Sequence, residues 1–314
     1  MNPDPRSEPR APGGGGSPAG DPLAPLTELP GVREAVDAAR AAVDRVYGHR
    51  VLRRRAPEVA AEAALRGARA SAALSGADWA LEEVRRRGDF GADEESETVG
   101  AALRLNAEAG GLLGVWRVSP ARALARLHLV AAGASAGRGA PARGAFAGGA
   151  PGSGAPGGAE AVGRPRLAGE PVAEPALAEL AGLGAPEPGA AEVAARLEAL
   201  TGLIVAGTAA PAPVTAAIVH GELLALRPFR SHNALVARAA ERIVLVGAGL
   251  DPKSVAPAEV GHAELGRTAY LRALAGYAQG TREGVGAWIV HCARAVELGA
   301  RESTAVCEAL QRGA

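Results

Sequence analysis

The sequence predicts an all-α protein. Apolar residues recur at helical spacing through most of the chain, and no run alternates apolar with polar residues as a half-buried strand would. Proline and glycine punctuate the ends of the apolar stripes, as they do at helix starts and stops. At most one short hairpin has room, near a glycine- and alanine-rich segment in the middle of the chain.

The elements follow in order. Residues 1–27 are expected to be a disordered tail, since residues 1–25 hold 7 Pro and 5 Gly. An N-terminal helical block spans 28–131. In it Val32, Val36, Ala39, Val43 and Val46 form one stripe. Pro57 suits the first turn of a second helix, with Val59, Ala63, Ala70 and Leu74 on its buried side. A short helix is expected from Asp78 to Val84, pinned by Trp79, and another carrying Val99, Leu103 and Ala107. Ser119-Pro120 reads as an N-cap and first-turn proline ahead of Leu124, Leu127 and Val130. Residues 132–163 contain 11 Gly, 11 Ala and 3 Pro, a composition that builds no packed element, and are expected to be a linker or large loop. A C-terminal block, 164–314, then carries stripes at Leu177, Leu180 and Leu183; at Val193, Leu197 and Leu200; at Val214, Ile218 and Leu224; at Leu235, Ala239, Ile243 and Val246; at Leu271, Leu274 and Tyr277; and from Val285 to Val296. The helix at 214–224 is apolar on most sides and should be central.

The 314 residues carry 34 cations and 34 anions. That balance argues against nucleic acid or an anionic membrane held by bulk positive charge. The uncharged stretch Ala199–Val219 is interrupted by Pro211, Pro213, Gly202 and Gly207 and reads as two helices joined by a turn rather than a membrane span. Cys292 and Cys307 make no disulfide framework, and no secretory leader is visible, which fits a cytoplasmic protein. Gly152 to Gly157 fits the spacing of a dinucleotide fingerprint but follows no strand and opens no helix. His49, His128, His220, His232, His262 and His291 show no metal-ligand spacing, so they read as isolated packing or surface residues and no metal is assigned.

The informative segment is 220–242. An apolar helix ends near Leu226, a short polar loop runs from Arg227 to His232, and a second helix begins around Asn233. The free N–H groups and positive end of that second helix face the loop, an arrangement suited to an anion. Arg238 is close enough along the chain to reach back toward it.

Here the chain resembles the Fic (Fido) family of AMP transferases, whose signature is H-P-F-x-[DE]-G-N-G-R-x-x-R. Arg227 stands at the family's catalytic His, followed by matching Pro228 and Phe229. Arg230 fills the free position. Ser231 stands at the acidic metal ligand, His232 at the first Gly, Asn233 matches, Ala234 replaces the second Gly, Leu235 the first Arg, and Arg238 matches the last Arg. Ser71 to Gly76 resembles the family's inhibitory motif, [ST]-x-x-x-E-[GN], keeping Ser71 and Gly76 but with Ser75 in place of the Glu. Gly163 to Arg166 looks like the family's short segment ahead of its core helices; the family also has a short hairpin that aligns the target beside its groove.

The resemblance implies an ATP-handling fold in which three working positions have changed. Arg227 stays protonated and accepts no proton, so it is no general base. Ser231 is a poor ligand for Mg2+, which favours carboxylate oxygen. Leu235 removes one of two triphosphate-gripping arginines. The expectation is a degenerate Fic protein, a pseudoenzyme without AMP transfer. Its site would be a positive pocket for an anion, ATP or another nucleotide, built from Arg227, Pro228, Phe229, Arg230, Ser231, His232, Asn233, Ala234 and Arg238. Two alternatives stand beside it: a divergent nucleotidyl or phosphoryl transferase using His232 as a displaced base, and a module that keeps the target groove to bind a protein partner by strand addition.

Overall fold

The computed structural model describes residues 20–133 and 162–313. The helices are α1 (Val32–Gly48), α2 (Arg50–Leu74), α3 (Leu81–Arg86), α4 (Glu94–Ala109), α5 (Leu113–Val118), α6 (Pro120–Ala131), α7 (Glu179–Gly182), α8 (Ala190–Ala206), α9 (Ala212–Leu226), α10 (Asn233–Gly247), α11 (Ala258–Leu265), α12 (Arg267–Ala278) and α13 (Arg282–Arg312). No strand occurs among the described residues, so the hairpin is not among them.

The central element is α9. Val214, Ala217, Val219, Leu223, Leu224 and Leu226 are all buried, because α8, α10, α12 and α13 surround it. The longest helix, α13, spans 31 residues, or about 46 Å at the helical rise of about 1.5 Å per residue. It runs against α1, α9, α11 and α12. The stripe Val32, Val36, Ala39, Val43 and Val46 is buried in full, most of it against α13. The helices before and after the central segment therefore share one core, with α2 packed on α4 and α11.

Two glycines let α11 and α13 approach closely. A Cβ on Gly261 would lie 1.9 Å from the Ala295 carbonyl oxygen, and one on Gly299 would lie 2.2 Å from that of Pro257. Any larger residue at either position has to push backbone aside.

Several sequence expectations shift. Arg55 leaves helical geometry at φ −128° and ψ 36°, so α2 is two pieces, and Pro57 sits in the first turn of the second. The buried face of α4 is Val99, Ala102, Leu105 and Ala109. Leu103 is half-buried and Ala107 exposed, because a strict four-residue repeat drifts off the packed side of a helix. The expected helix from Asp78 starts at Leu81, with Trp79 buried ahead of it. Ser119 precedes Pro120 but makes no capping bond. Leu183 is exposed. Helices α5 and α11 had no counterpart in the sequence reading. Part of the expected tail is docked: Asp21 accepts hydrogen bonds from the Thr208 hydroxyl and the Ala209 N–H, and Ala24–Glu28 forms a 3-10 turn between buried Leu23 and Leu29. Residues 1–19, most of the expected linker and the Gly152–Gly157 fingerprint lie outside the described residues.

Candidate functional site

Residues 227–238 form the expected corner between α9 and α10. Two residues turn the chain. Arg227 (φ 46°) ends α9 and His232 (φ 60°) precedes α10, both left-handed without being glycine. The loop between them is stitched down. Phe229 N–H donates to Asn233 Oδ1 (2.8 Å), and Asn233 Nδ2 donates to the Phe229 carbonyl (2.9 Å). The Phe229 ring stacks on His128 of α6 at 4.2 Å between centroids. Sequence reading missed His128, since a lone histidine in a helix carries no signal of what it faces. Burial, then the neighbouring His232, push its pKa down to about 4.

Chain from 162 to 174 runs along the outside of the loop. Arg166 N–H donates to the Pro228 carbonyl (2.7 Å), its Nε to the Arg227 carbonyl (3.1 Å), and Ala173 N–H to the Arg230 carbonyl (2.7 Å).

The start of α10 is occupied from within. Asn233 N–H and Nδ2–H both donate to Glu174 Oε2 at 2.8 Å, and Ala234 N–H donates to Oε1 at 2.7 Å. A carboxylate at a helix N-terminus gains from both the unpaired N–H groups and the dipole. Burial raises the Glu174 pKa, opposed by those donors and by the Arg238 charge. In the sequence Glu174 stands only as the residue before Pro175, ahead of the stripe at Leu177. Its 59-residue separation from Asn233 hid this role.

Arg238 does not reach back to the helix start. It is 1% exposed, and its guanidinium donates to the Ser71 hydroxyl (2.8 Å), the Ser71 carbonyl (2.9 Å) and the Ser75 hydroxyl (2.6 Å), all on or just past α2. The segment Ser71 to Gly76 therefore does meet Arg238, with a hydroxyl at Ser75. Arg227 turns away from the helix start: its guanidinium donates to the Pro186 carbonyl (3.2 Å), while its Nε is buried without a partner. Burial lowers its pKa. Leu235 is buried and Arg230 half-buried.

A cavity of about 210 Å³ opens beside the corner, lined by Ser75, Glu94, Glu97, Glu174, Ser231 and His232 among others. Its charged lining is carboxylate, and neither Arg227 nor Arg238 lines it. Of the expected pocket's cations, Arg227 turns to Pro186 and Arg238 to Ser71, and the N–H groups of Asn233 and Ala234 hold Glu174. His232 does face this cavity, with Nδ1 2.9 Å from the Ser231 hydroxyl. Burial foremost, with Arg104 second, lowers its pKa. Larger clefts lie elsewhere, one of about 410 Å³ over Arg66, Arg69 and Glu264.

Three of the six histidines are far from isolated. His220, His262 and His291 gather with Glu241, Tyr270, Trp288 and Cys292 in the core behind the corner. Sequence spacing concealed this cluster because His220, Glu241, His262 and Tyr270 come from four different helices, and only Trp288, His291 and Cys292 share one, α13. Tyr270, Tyr277 and Trp288 are buried, as expected of core anchors, and Cys292 and Cys307 are buried free thiols.

This architecture is the fold of Fic family proteins. A Fic family protein from Desulfovibrio desulfuricans G20 superposes with a TM-score of 0.54 at 18% identity, over 87% of this chain and 74% of that one. Residues 134–508 of Fic-1 from C. elegans give 0.55 at 14% identity, over 87% and 71%. No family model and no curated protein matches the sequence. No described helix is long and apolar enough to cross a membrane.

Proposed function

We propose that this chain is a disarmed Fic-fold protein that does not transfer AMP, and whose nucleotide corner is closed by its own carboxylate. The observation that carries the reading is Glu174 seated on the N–H groups of Asn233 and Ala234. An anion arriving from solvent has to displace a tethered carboxylate that is already in place. Around it, the position of the family's base is a guanidinium held by Pro186, the position of its metal ligand is a serine, and the position of one phosphate-gripping arginine is a buried leucine. A side chain that supplies neither base nor metal ligand forgoes the general-base contribution of about 10²–10⁴-fold.

A radiolabelled-ATP transfer assay on lysate tests this. The native chain is set beside an Arg227→His/Ser231→Asp/Leu235→Arg variant, and beside the same variant carrying Glu174→Ala. No label is expected from the native chain, and the strongest label from the variant with Glu174 removed. Label transferred by the native chain overturns the proposal. Label abolished there by His232→Ala would assign the chemistry to the ring that faces the cavity. Calorimetric titration with ATP, ADP and AMP, with and without Mg2+, is expected to give no heat with the native chain.

A further inference from the structure

Four buried donors converge behind the corner: His220 from α9, Glu241 from α10, His262 from α11 and Cys292 from α13. One ligand atom from each lies within 4.8 Å of all the others. His220 Nδ1 is 2.9 Å, and His262 Nε2 3.2 Å, from Glu241 Oε2. The outer nitrogens are also placed. His220 Nε2 is 2.8 Å from the Tyr270 hydroxyl, and His262 Nδ1 is 3.2 Å from His291 Nε2. Each imidazole thus has its outer nitrogen oriented by a partner and its inner nitrogen turned to a shared centre, which is how metal-bound histidines are held.

A protons-only network is the competing account. In it each inner N–H would point at a Glu241 oxygen. His220 Nδ1 does not: at 2.9 Å from Oε2 it is out of line for a hydrogen bond, and this fully buried nitrogen has no other partner. A nitrogen facing a carboxylate oxygen off its hydrogen-bond axis is placed for a cation that both can ligate. The thiol of Cys292 completes the set.

We propose that His220, Glu241, His262 and Cys292 bind one zinc-class divalent ion as a closed structural site. Two nitrogens, one oxygen and one sulfur suit a borderline-soft ion, and four protein donors leave no open position for catalysis. A tetrahedral set with bonds of about 2.0–2.3 Å has donors roughly 3.3–3.8 Å apart, within about an ångström of what the apo side chains already provide. On binding, the metal–sulfur bond forms as the S–H bond breaks and the proton leaves to solvent. The two negative ligands then balance the divalent charge. Such an ion ties α9, α10, α11 and α13 together, and it stands next to Tyr270, whose hydroxyl is 3.5 Å from Arg238.

The test uses the untagged full chain, produced in zinc-supplemented and in cobalt-supplemented medium. Elemental analysis is expected to give one zinc per chain. The cobalt form is expected to show the visible bands of a four-coordinate site and a near-ultraviolet thiolate charge-transfer band. Cys292→Ser, which conserves volume, is expected to abolish the charge-transfer band, while Cys307→Ser in the same helix leaves it intact. A native chain purified free of zinc and cobalt overturns the proposal without reference to any variant. So does a cobalt spectrum that Cys292→Ser and His262→Gln both leave unchanged.

Discussion

Removing Glu174 reports directly on whether the corner is closed from within. Glu174→Ala deletes an acceptor of hydrogen bonds at 2.7, 2.8 and 2.8 Å and a negative charge at the start of α10. Hydrogen bonds to a charged group are worth about 1.5–3 kcal/mol each, but the freed donors face a cavity of about 210 Å³ where water replaces the carboxylate. The surviving loss is the dipole interaction and the tether, about 2 kcal/mol. For a chain of this size that lowers Tm by about 3–4 °C. Thermal melts in chloride and in phosphate at matched ionic strength measure it. The native chain is expected to melt alike in both salts. Glu174→Ala is expected to melt lower in chloride and to recover in phosphate, because the freed N–H pair now binds an external anion. The reasoning is refuted if Glu174→Ala melts like the native chain, or if phosphate raises the native chain as much as the variant.

Three further outcomes follow from the same geometry. Stability should fall in acid. Burial lowers the pKa of His128 to about 4 and that of His291 to about 3, so below the ordinary value of 6.5 the unfolded chain takes up protons that the fold refuses. Each of these histidines then costs up to about 1.4 kcal/mol per pH unit down to its folded value, read as falling urea midpoints from neutral pH to pH about 4. His232→Gly should stabilise the protein by about 1 kcal/mol in equilibrium unfolding, because glycine adopts φ 60° without the steric penalty of a side chain. Gly261→Ala should cost at least about 2 kcal/mol, because its methyl would meet the Ala295 carbonyl at 1.9 Å, whereas Gly88→Ala, with nothing within 4 Å, should be tolerated.

Much of the helical layout was legible because it is local. The α1 stripe and the buried sides of α2, α8 and α12 can be read from spacing alone, since each helix needs one apolar face whatever it packs against. The corner was legible for the same reason: Leu226, Pro228, Phe229 and Asn233 mark where one helix stops and the next starts. What the sequence hid is pairing at long range. Nothing near Glu174 says that it ends on Asn233, and nothing near Arg238 says that it turns to Ser71 rather than to its own helix start. The histidine cluster is drawn from five helices, α9 to α13, and leaves no ligand spacing to recognise. Reading the α10 terminus as an open anion site treated free N–H groups as available, when a folded chain fills such groups from its own side chains wherever it can.

The left-handed turns at Arg227 and His232 carry one more implication. Glycine makes such turns without strain, yet here the main chain follows this path with an arginine and a histidine at those points. The route of the loop is therefore dictated by Asn233, Phe229 and the flanking stretch of 162–174, and not by the residues at the bends. A template fixed in that way tolerates turnover of the side chains it displays, so exchanges at 227 and 231 change the groups on offer there without redrawing the trace.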